Sequence, residues 1–210
     1  MIGMRIVRQA IAVAALVAAT SSCGDVIRQG RSPVYLVISA LQAAQGNKTS
    51  QFGNGLSSDV LTLVVTPAPC TTTSPCPVVF GDVGQVVLRM SLKDIGIGSS
   101  AAVPTTNNEV TITRYHVSYR RADGRNTPGV DVPYAFDGAM AGTVPATGTL
   151  TMGFTLVRNT AKQESPLVQL ISSPNIISTF ADVTFYGHDQ VGNQISASGS
   201  IDVAFANFGD

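Results

Sequence analysis

The chain has 210 residues and thirteen basic and thirteen acidic side chains, so its formal net charge is zero. This balance argues against nucleic-acid binding, which requires clustered positive charge, and we expect no nucleic-acid partner. Charged residues make up only 12%, while twenty glycines and eleven prolines indicate many turns and favour β-structure over helices. The length suits a single β-domain.

The first 22 residues have the features of a secretory signal. Arg5 and Arg8 precede an apolar run from residue 10 to residue 19, and small residues follow it. This run spans only about half of the hydrocarbon core of a bilayer, which is too short for a permanent transmembrane helix. Residues 1–22 are therefore predicted to be a removable signal peptide.

The residues around Cys23 resemble the lipobox of bacterial lipoproteins. The stretch ATSSCGD places this cysteine directly after small residues. The resemblance implies cleavage before Cys23, lipid on the cysteine and anchoring to a membrane. Thr20 stands where the family most often has Leu, and cleavage by an ordinary signal peptidase after Ala19 or Ser22 is the alternative. In that family an Asp directly after the cysteine is associated with retention in the inner membrane. Because Gly24 holds this place, the outer membrane is favoured if the cell has one.

Two cysteines remain once Cys23 is assigned to lipid. Cys70 and Cys76 belong to the stretch CTTTSPC, inside a proline-rich region from residue 67 to residue 77. An even remainder in an oxidising compartment indicates a disulfide. A zinc site would require four ligands, and no histidine or further cysteine lies nearby in the sequence. We therefore predict a disulfide that closes a short loop.

Residues 23–32 form a predicted polar tether, and residues 33–210 form the predicted domain. Alternating apolar side chains in this domain indicate strands. The clearest alternation lies in residues 33–41, 59–66, 85–92, 150–158 and 195–205. In the second of these segments the pattern predicts Leu61, Leu63 and Val65 on one buried face.

The strand predicted from residue 108 to residue 121 contains a change of phase. Its apolar side chains occupy even positions up to Ile112 and odd positions from Tyr115 onward. One extra residue at Thr113 or Arg114 restores a single apolar face, which is what a β-bulge does. We therefore predict a bulge or bend at this point.

Only two short segments have helical features. Gly46, at the end of ALQAAQG (residues 40–46), suits the end of a helical turn. Ser165 and Pro166, at the start of SPLVQLI (residues 165–171), suit the start of a short helix. Both segments are too short to change the fold class.

About eight strands separated by turn signals predict an all-β fold, an antiparallel β-sandwich. Residues 115–121, YHVSYRR, resemble the Y-x-V-x-Y-R strand of fibronectin type III domains. Residues 189–193, DQVGN, are similar to the D-x-x-G-N turn in the last hairpin of many bacterial Ig-like domains. Both resemblances imply an Ig-like sandwich. The chain has no tryptophan, which fibronectin type III cores usually contain, so the resemblances do not specify one family.

The stretch DGRNTPGVDVPYAFDG, residues 123–138, carries side-chain oxygens, the ligand type that calcium prefers. The candidate ligands are Asp123, Asn126, Asp131 and Asp137. Their spacing does not match the EF-hand calcium loop, and Asp, Asn, Gly and Pro are also the residues that turns require. We favour a turn or loop here, with an ion site as the alternative.

Few other side chains suggest chemistry. His116 and His188 fall on the polar parity of predicted strands, where a solvent-facing role is commoner than metal binding or catalysis. Tyr134 and Phe136 alternate with Val132 and are assigned to packing, with an aromatic platform for a sugar or peptide as the alternative. The chain has no G-x-S-x-G motif. We predict no catalytic residue, no metal ligand and no cofactor.

These features predict a lipid-anchored, extracytoplasmic protein of the cell envelope with a non-enzymatic binding or structural domain. Its expected partners are a membrane, through lipid on Cys23, and an envelope protein or glycan. The alternatives are a calcium- or carbohydrate-binding module and an accessory subunit of a hydrolase that acts on an envelope polymer.

Overall fold

The computed structural model describes residues 31–96 and 102–209. Within these residues the prediction of an all-β chain is confirmed. The strands are β1 (Val34–Ala44), β2 (Gly55–Asp59), β3 (Thr62–Val64), β4 (Cys76–Val78), β5 (Asp82–Leu92), β6 (Val110–Arg120), β7 (Phe136–Val144), β8 (Leu150–Val157), β9 (Ile177–Asp189) and β10 (Gln194–Ala206). A four-residue helix α1 (Asn159–Lys162) and two 3₁₀ helices (Thr106–Asn108 and Leu167–Ser172) lie between them. The predicted signal peptide, Cys23 and most of the predicted tether lie outside the described residues.

The strands form two larger sheets and one small one. One sheet has the order β1-β5-β8, another has the order β2-β10-β9-β6-β7, and β3 pairs with β4. The pairings are antiparallel, as predicted, except that β2 runs parallel to β10. The five-stranded sheet is therefore mixed.

The segment 59–66 is divided, which is one reason for ten strands where about eight were predicted. β2 ends at Asp59, whose carboxylate accepts a hydrogen bond of 3.0 Å from the Thr62 hydroxyl. Leu63 and Val65 are 46% and 43% exposed. The predicted buried face in this segment is therefore wrong, because the chain turns before the alternation can continue.

The alternation predicted in residues 85–92 and 195–205 matches the buried faces of β5 and β10. Val86, Leu88 and Met90 of β5 are buried, as are Ile201 and Val203 of β10. Buried apolar side chains from the two larger sheets form a single cluster. Each of these sheets therefore has one face in the core, as the period of two predicts.

Aromatic side chains join the two larger sheets across this core. The Tyr119 hydroxyl of β6 donates a hydrogen bond of 2.6 Å to the carbonyl oxygen of Leu156 in β8. The ring of Phe154 in β8 lies edge-on to that of Phe185 in β9, with centroids 5.4 Å apart. Such edge contacts add to the stabilisation that burial provides. The two sheets therefore pack on each other.

The predicted bulge in β6 is confirmed. The register shifts between Ile112 and Arg114 in the pairing with both β7 and β9. Ile112 and Tyr115 are both buried, although they have opposite parity. The extra residue therefore restores one apolar face to the strand.

The two segments with helical features behave differently. Residues 40–44 belong to β1, so a helical turn does not form there. Residues 167–172 form a 3₁₀ helix preceded by Pro166, and its Leu167 and Leu170 are buried. This helix packs against β10.

The predicted disulfide between Cys70 and Cys76 is present. It lies beside the small sheet, where Cys76 pairs with Val64. Inside the loop, the backbone amides of Thr71 and Ser74 each donate a hydrogen bond to the other residue's carbonyl oxygen. The bond therefore closes a local turn and does not connect distant parts of the chain.

Replacing both cysteines by serine is expected to lower the free energy of unfolding by about 2 kcal/mol, the chain-entropy value for so short a loop. Urea denaturation of the Cys70→Ser/Cys76→Ser variant measures this loss. Reductant should lower the stability of the wild type and leave the variant unchanged. Equal stabilities of the oxidised wild type and the variant would contradict the prediction.

Candidate functional site

The loop between β6 and β7 contains three of the four candidate calcium ligands. Asp123 lies at its start, where its carboxylate accepts hydrogen bonds from the side chains of Arg121 and Arg125. The closest contact joins Arg121 Nη2 to Asp123 Oδ2 at 2.6 Å. These hydrogen bonds, chiefly those from Arg121, hold the pKa of Asp123 at about 2, below its usual 3.8. Two guanidinium groups therefore already neutralise this carboxylate.

The other two candidates in the loop bind its own backbone. Asn126 Oδ1 accepts a hydrogen bond of 2.6 Å from the amide of Arg121, and Asp131 Oδ2 accepts one of 3.2 Å from the amide of Thr127. Gly124 has a positive φ of 81°, a conformation that glycine adopts without a steric penalty. These contacts are the turn chemistry that the sequence favoured.

Asp137, the fourth candidate, lies on β7 and away from the loop contacts. Its Oδ1 lies 3.1 Å from Arg114 Nη1 and 3.2 Å from His116 Nδ1. The four candidates are therefore divided among separate partners. Among residues 31–96 and 102–209, no group of three or more His, Cys, Asp or Glu side chains is arranged to hold a metal ion.

Asp137 belongs to a polar surface on the side of the five-stranded sheet that points away from the core. We call this surface the outer face. It includes Arg114, His116, Asp137, Asp182, Thr184, Tyr186, Ser198 and Ser200. The Arg114 guanidinium stacks on the ring of Tyr186, 3.7 Å from its centroid. The hydroxyls of Thr184 and Ser198 lie 2.8 Å apart, and the Ser200 hydroxyl donates a hydrogen bond to Asp182. The side chains of this face are ordered by contacts between neighbouring strands.

A cavity of about 310 Å³ opens at one end of the outer face, between the β6 bulge and the β9–β10 turn. Arg114, Tyr186, His188 and Gln194 line it. The cavity offers an aromatic ring, a cation and an amide, which together suit a polar ligand.

The two histidines lie apart on the sheet. His116 is paired with Thr184, and His188 is paired with Thr111. His188 Nδ1 lies 3.1 Å from the Asp189 carbonyl oxygen. The polar parity predicted for both histidines is therefore observed.

Tyr134 and Phe136, which were assigned to packing together with Val132, differ in their exposure to solvent. Val132 is buried, Phe136 is partly buried at the start of β7, and Tyr134 is 52% exposed. The Tyr134 ring covers Gly129 so closely that an added Cβ at this glycine would overlap the ring and its hydroxyl. The prediction that Tyr134 packs in the core is therefore wrong, because this ring lies over the loop.

The turn between β9 and β10 is organised by Asp189, at the position that the D-x-x-G-N resemblance indicates. Asp189 Oδ1 accepts hydrogen bonds from the amides of Val191 and Asn193, and Oδ2 accepts one from Asn193 Nδ2. Burial acts to raise the pKa of Asp189, but the hydrogen bonds from Asn193, Ser32 and Val191 outweigh it and the pKa is lowered. Gly192 supplies the positive φ of 84° that the turn needs.

Replacing Asp189 by alanine is expected to lower the free energy of unfolding by about 1–3 kcal/mol at neutral pH, because backbone donors lose their acceptor. A lowered pKa in the folded state means that this stabilisation is complete above pH 3.8, the ordinary value. It is lost as the pH falls through the lower pKa of the folded state. Denaturation of both proteins across this range tests the sign; a difference that grows on acidification would contradict it.

Sequence reasoning missed a polar cluster in the interior. Lys162 Nζ lies 2.8 Å from Asp82 Oδ2, and the two side chains are 1% and 0% exposed. The same ammonium donates a hydrogen bond of 2.7 Å to the carbonyl oxygen of Asp59. Asp82 Oδ2 also accepts a hydrogen bond of 2.6 Å from the Ser58 hydroxyl, and Oδ1 accepts one of 3.0 Å from the Gly46 amide.

This cluster joins β2, β5, α1 and the turn after β1. Burial raises the pKa of Asp82, and the neighbouring Lys162 ammonium opposes this change without cancelling it. One sequence signal could have indicated the carboxylate. Asp82 shares the parity of Val86 and Leu88, so it stands on the buried face of β5.

None of the helices in the described residues is long and apolar enough to span a membrane. Comparison of the chain with protein-family models, curated proteins and solved structures gives no match.

Proposed function

We propose that the protein is a lipid-anchored, extracytoplasmic component of the cell envelope whose β-domain has a binding or structural role without catalysis. The division of its three cysteines carries the proposal. Cys70 and Cys76 are joined, which suits an oxidising compartment. Cys23 is left over, in the lipobox-like stretch. Gly24 after it favours the outer membrane in a cell that has one.

The domain in this proposal is an Ig-like sandwich. Support comes from the packing of the two larger sheets on each other and from the alternation of buried and exposed side chains along β5, β9 and β10. The β9–β10 turn organised by Asp189 adds to this support, because its sequence is similar to that of bacterial Ig-like hairpins.

Lipid on Cys23 has a direct test. Protein purified from membranes and digested with trypsin should give the peptide 23–28 carrying acyl groups on its cysteine. The Cys23→Ala variant should move from the detergent phase to the aqueous phase in a phase-separation experiment, because it lacks the acyl chains that anchor it.

The Cys70→Ser/Cys76→Ser variant is the matched control, since it lacks two cysteines and keeps the anchor. It should stay in the detergent phase. A wild-type protein found in the aqueous phase, with an N-terminus at residue 20 or at an unmodified Cys23, would contradict the anchoring.

The outer face is the contact surface in this proposal, for an envelope protein or glycan. Its cations, carboxylates and hydroxyls suit a polar partner, and the cavity beside Tyr186 adds an aromatic ring. A photo-reactive residue at Ser198 in intact cells should capture the partner. The same residue at Arg89, on the exposed side of β5, should not; equal capture at both positions would contradict a specific outer-face contact.

A carbohydrate ligand is a second candidate, because the cavity combines the Tyr186 ring with Arg114, His188 and Gln194. Envelope glycan fragments should raise the melting temperature of the wild type and leave that of Tyr186→Ala unchanged. An absence of any shift in the wild type would remove this candidate.

A further inference from the structure

Lys162 and Asp82 place an amine and a carboxyl group in contact inside the protein, and the proposed function gives them no role. Their side chains are almost completely buried and their nearest polar atoms are 2.8 Å apart. A buried ion pair is costly to desolvate, and well-packed apolar side chains often serve stability as well or better. The pair therefore raises the question of a chemical role.

We propose that Lys162 and Asp82 join in an intramolecular isopeptide bond, so that the pair is a site of self-modification. Nζ of Lys162 becomes bonded to Cγ of Asp82, and an amide crosslink replaces the two ionisable groups. The link would connect the start of β5 with α1. The structure shows the two side chains in contact before that bond is made.

The reaction balances without a cofactor or a redox partner. Proton transfer within the pair gives a neutral amine and a carboxylic acid. The nitrogen lone pair attacks Cγ, a C–N bond forms, and the C–O bond to the carboxyl hydroxyl breaks. That hydroxyl leaves as water after taking one proton from the amine. The products are one amide and one water molecule.

The surroundings of Asp82 favour the first step. Burial raises the pKa of its carboxyl group, which promotes the protonated form that can lose water. A dry interior disfavours separated charges and favours the neutral pair. The amide has no formal charge, so its formation also removes the cost of keeping an ion pair buried.

Neighbouring groups can stabilise the developing charge on the carboxyl oxygens. The Ser58 hydroxyl lies 2.6 Å from Oδ2, and the Gly46 amide lies 3.0 Å from Oδ1. Donors fixed at such distances stabilise a tetrahedral intermediate, because they are already oriented when its charge appears.

The nucleophile is also held in place. The Asp59 carbonyl oxygen accepts a hydrogen bond of 2.7 Å from Nζ, and Lys162 is the last residue of α1. Reacting groups held together in this way have effective concentrations of about 10⁵–10⁸ M in favourable cases. A slow condensation can therefore proceed in a folded chain.

Trypsin digestion of the protein purified from cells tests the proposal. The chain has no lysine or arginine from residue 163 to residue 210 or from residue 49 to residue 88. With a free Lys162, trypsin cleaves after it and releases peptide 163–210. With the isopeptide bond, cleavage there is blocked, and after reduction peptide 159–210 stays joined to peptide 49–89, lighter than their sum by one water.

The Lys162→Arg variant is the matched control, because arginine keeps the positive charge and gives no stable amide under these conditions. It should release peptide 163–210. Loss of water at an Asp-Gly pair such as Asp123-Gly124 would also lighten the protein, but it would not join these peptides. A wild type that releases peptide 163–210 as its main product overturns the proposal, whatever the folding of the variant.

Discussion

Relative to wild-type protein in which the amide has not formed, replacing Lys162 by methionine is expected to lower the free energy of unfolding by about 3–5 kcal/mol, the range for breaking a buried ion pair from one side. Asp82 would keep its carboxylate in the interior and lose the ammonium that lies 2.8 Å from it. The hydrogen bonds from Ser58 and Gly46 would be its remaining polar contacts. Chemical denaturation at neutral pH measures the loss.

The Lys162→Met/Asp82→Leu variant is the control for this interpretation. Removing both charged groups is expected to recover most of the stability lost in Lys162→Met, because no unpaired carboxylate is left in the interior. Neither variant can form the ion pair or the proposed amide, so their comparison depends on the unpaired Asp82 carboxylate alone. A double variant no more stable than the single one would show that Lys162 acts through its packing.

The substitution Phe185→Ala is expected to cost about 3–5 kcal/mol, as deletions of a buried phenylalanine side chain do. The Phe185 ring is fully buried in β9 and meets the ring of Phe154 from the opposite sheet. Its removal would leave a cavity at the contact between the sheets. Urea denaturation gives the change in the free energy of unfolding.

Phe180→Ala is the matched control on the same strand. Phe180 points to the opposite side of β9, where the Arg120 guanidinium lies 4.6 Å from its ring centroid. A cation–π contact at a partly exposed site contributes about 0.5–1 kcal/mol, so this variant should lose little more than that. Similar losses for the two phenylalanines would contradict the assignment of the buried face.

Local patterns in the sequence were sufficient for the all-β class, for the alternation along the long strands β5 and β10, and for the bulge. Side chains of β5 and β10 alternate with a period of two, and a half-buried strand has no other way to separate apolar from polar groups. The change of parity between Ile112 and Tyr115 predicted the bulge for the same reason. The pattern failed at Leu63 and Val65, because the hydrogen bonds of Asp59 with Leu61 and Thr62 make a turn that interrupts the strand.

The polar sites depend on contacts between distant segments, and the sequence could indicate few of them. Lys162 lies 80 positions after Asp82, and the sequence of its short helix is typical of an exposed turn. Asp137 was grouped with Asp123 because they are near in sequence, yet β7 carries Asp137 to Arg114 of the neighbouring strand. The role of Asp189 in its turn was accessible to sequence reasoning, because Val191 and Asn193, its partners in the turn, lie within four residues of it.

The parallel pairing of β2 with β10 has a consequence for the order of folding. β10 lies between β2 and β9, and its contact with β2 joins residues as far apart as Gly55 and Asp202. Contacts of such long range make folding slow. If the chain crosses a membrane with its N-terminus first, β2 emerges before β10. Until β10 has also emerged, the backbone hydrogen-bonding groups along one edge of β2 are unpaired and can bind other chains. An exposed strand edge promotes aggregation, so a chaperone that covers this edge until β10 has formed would increase the yield of folded protein.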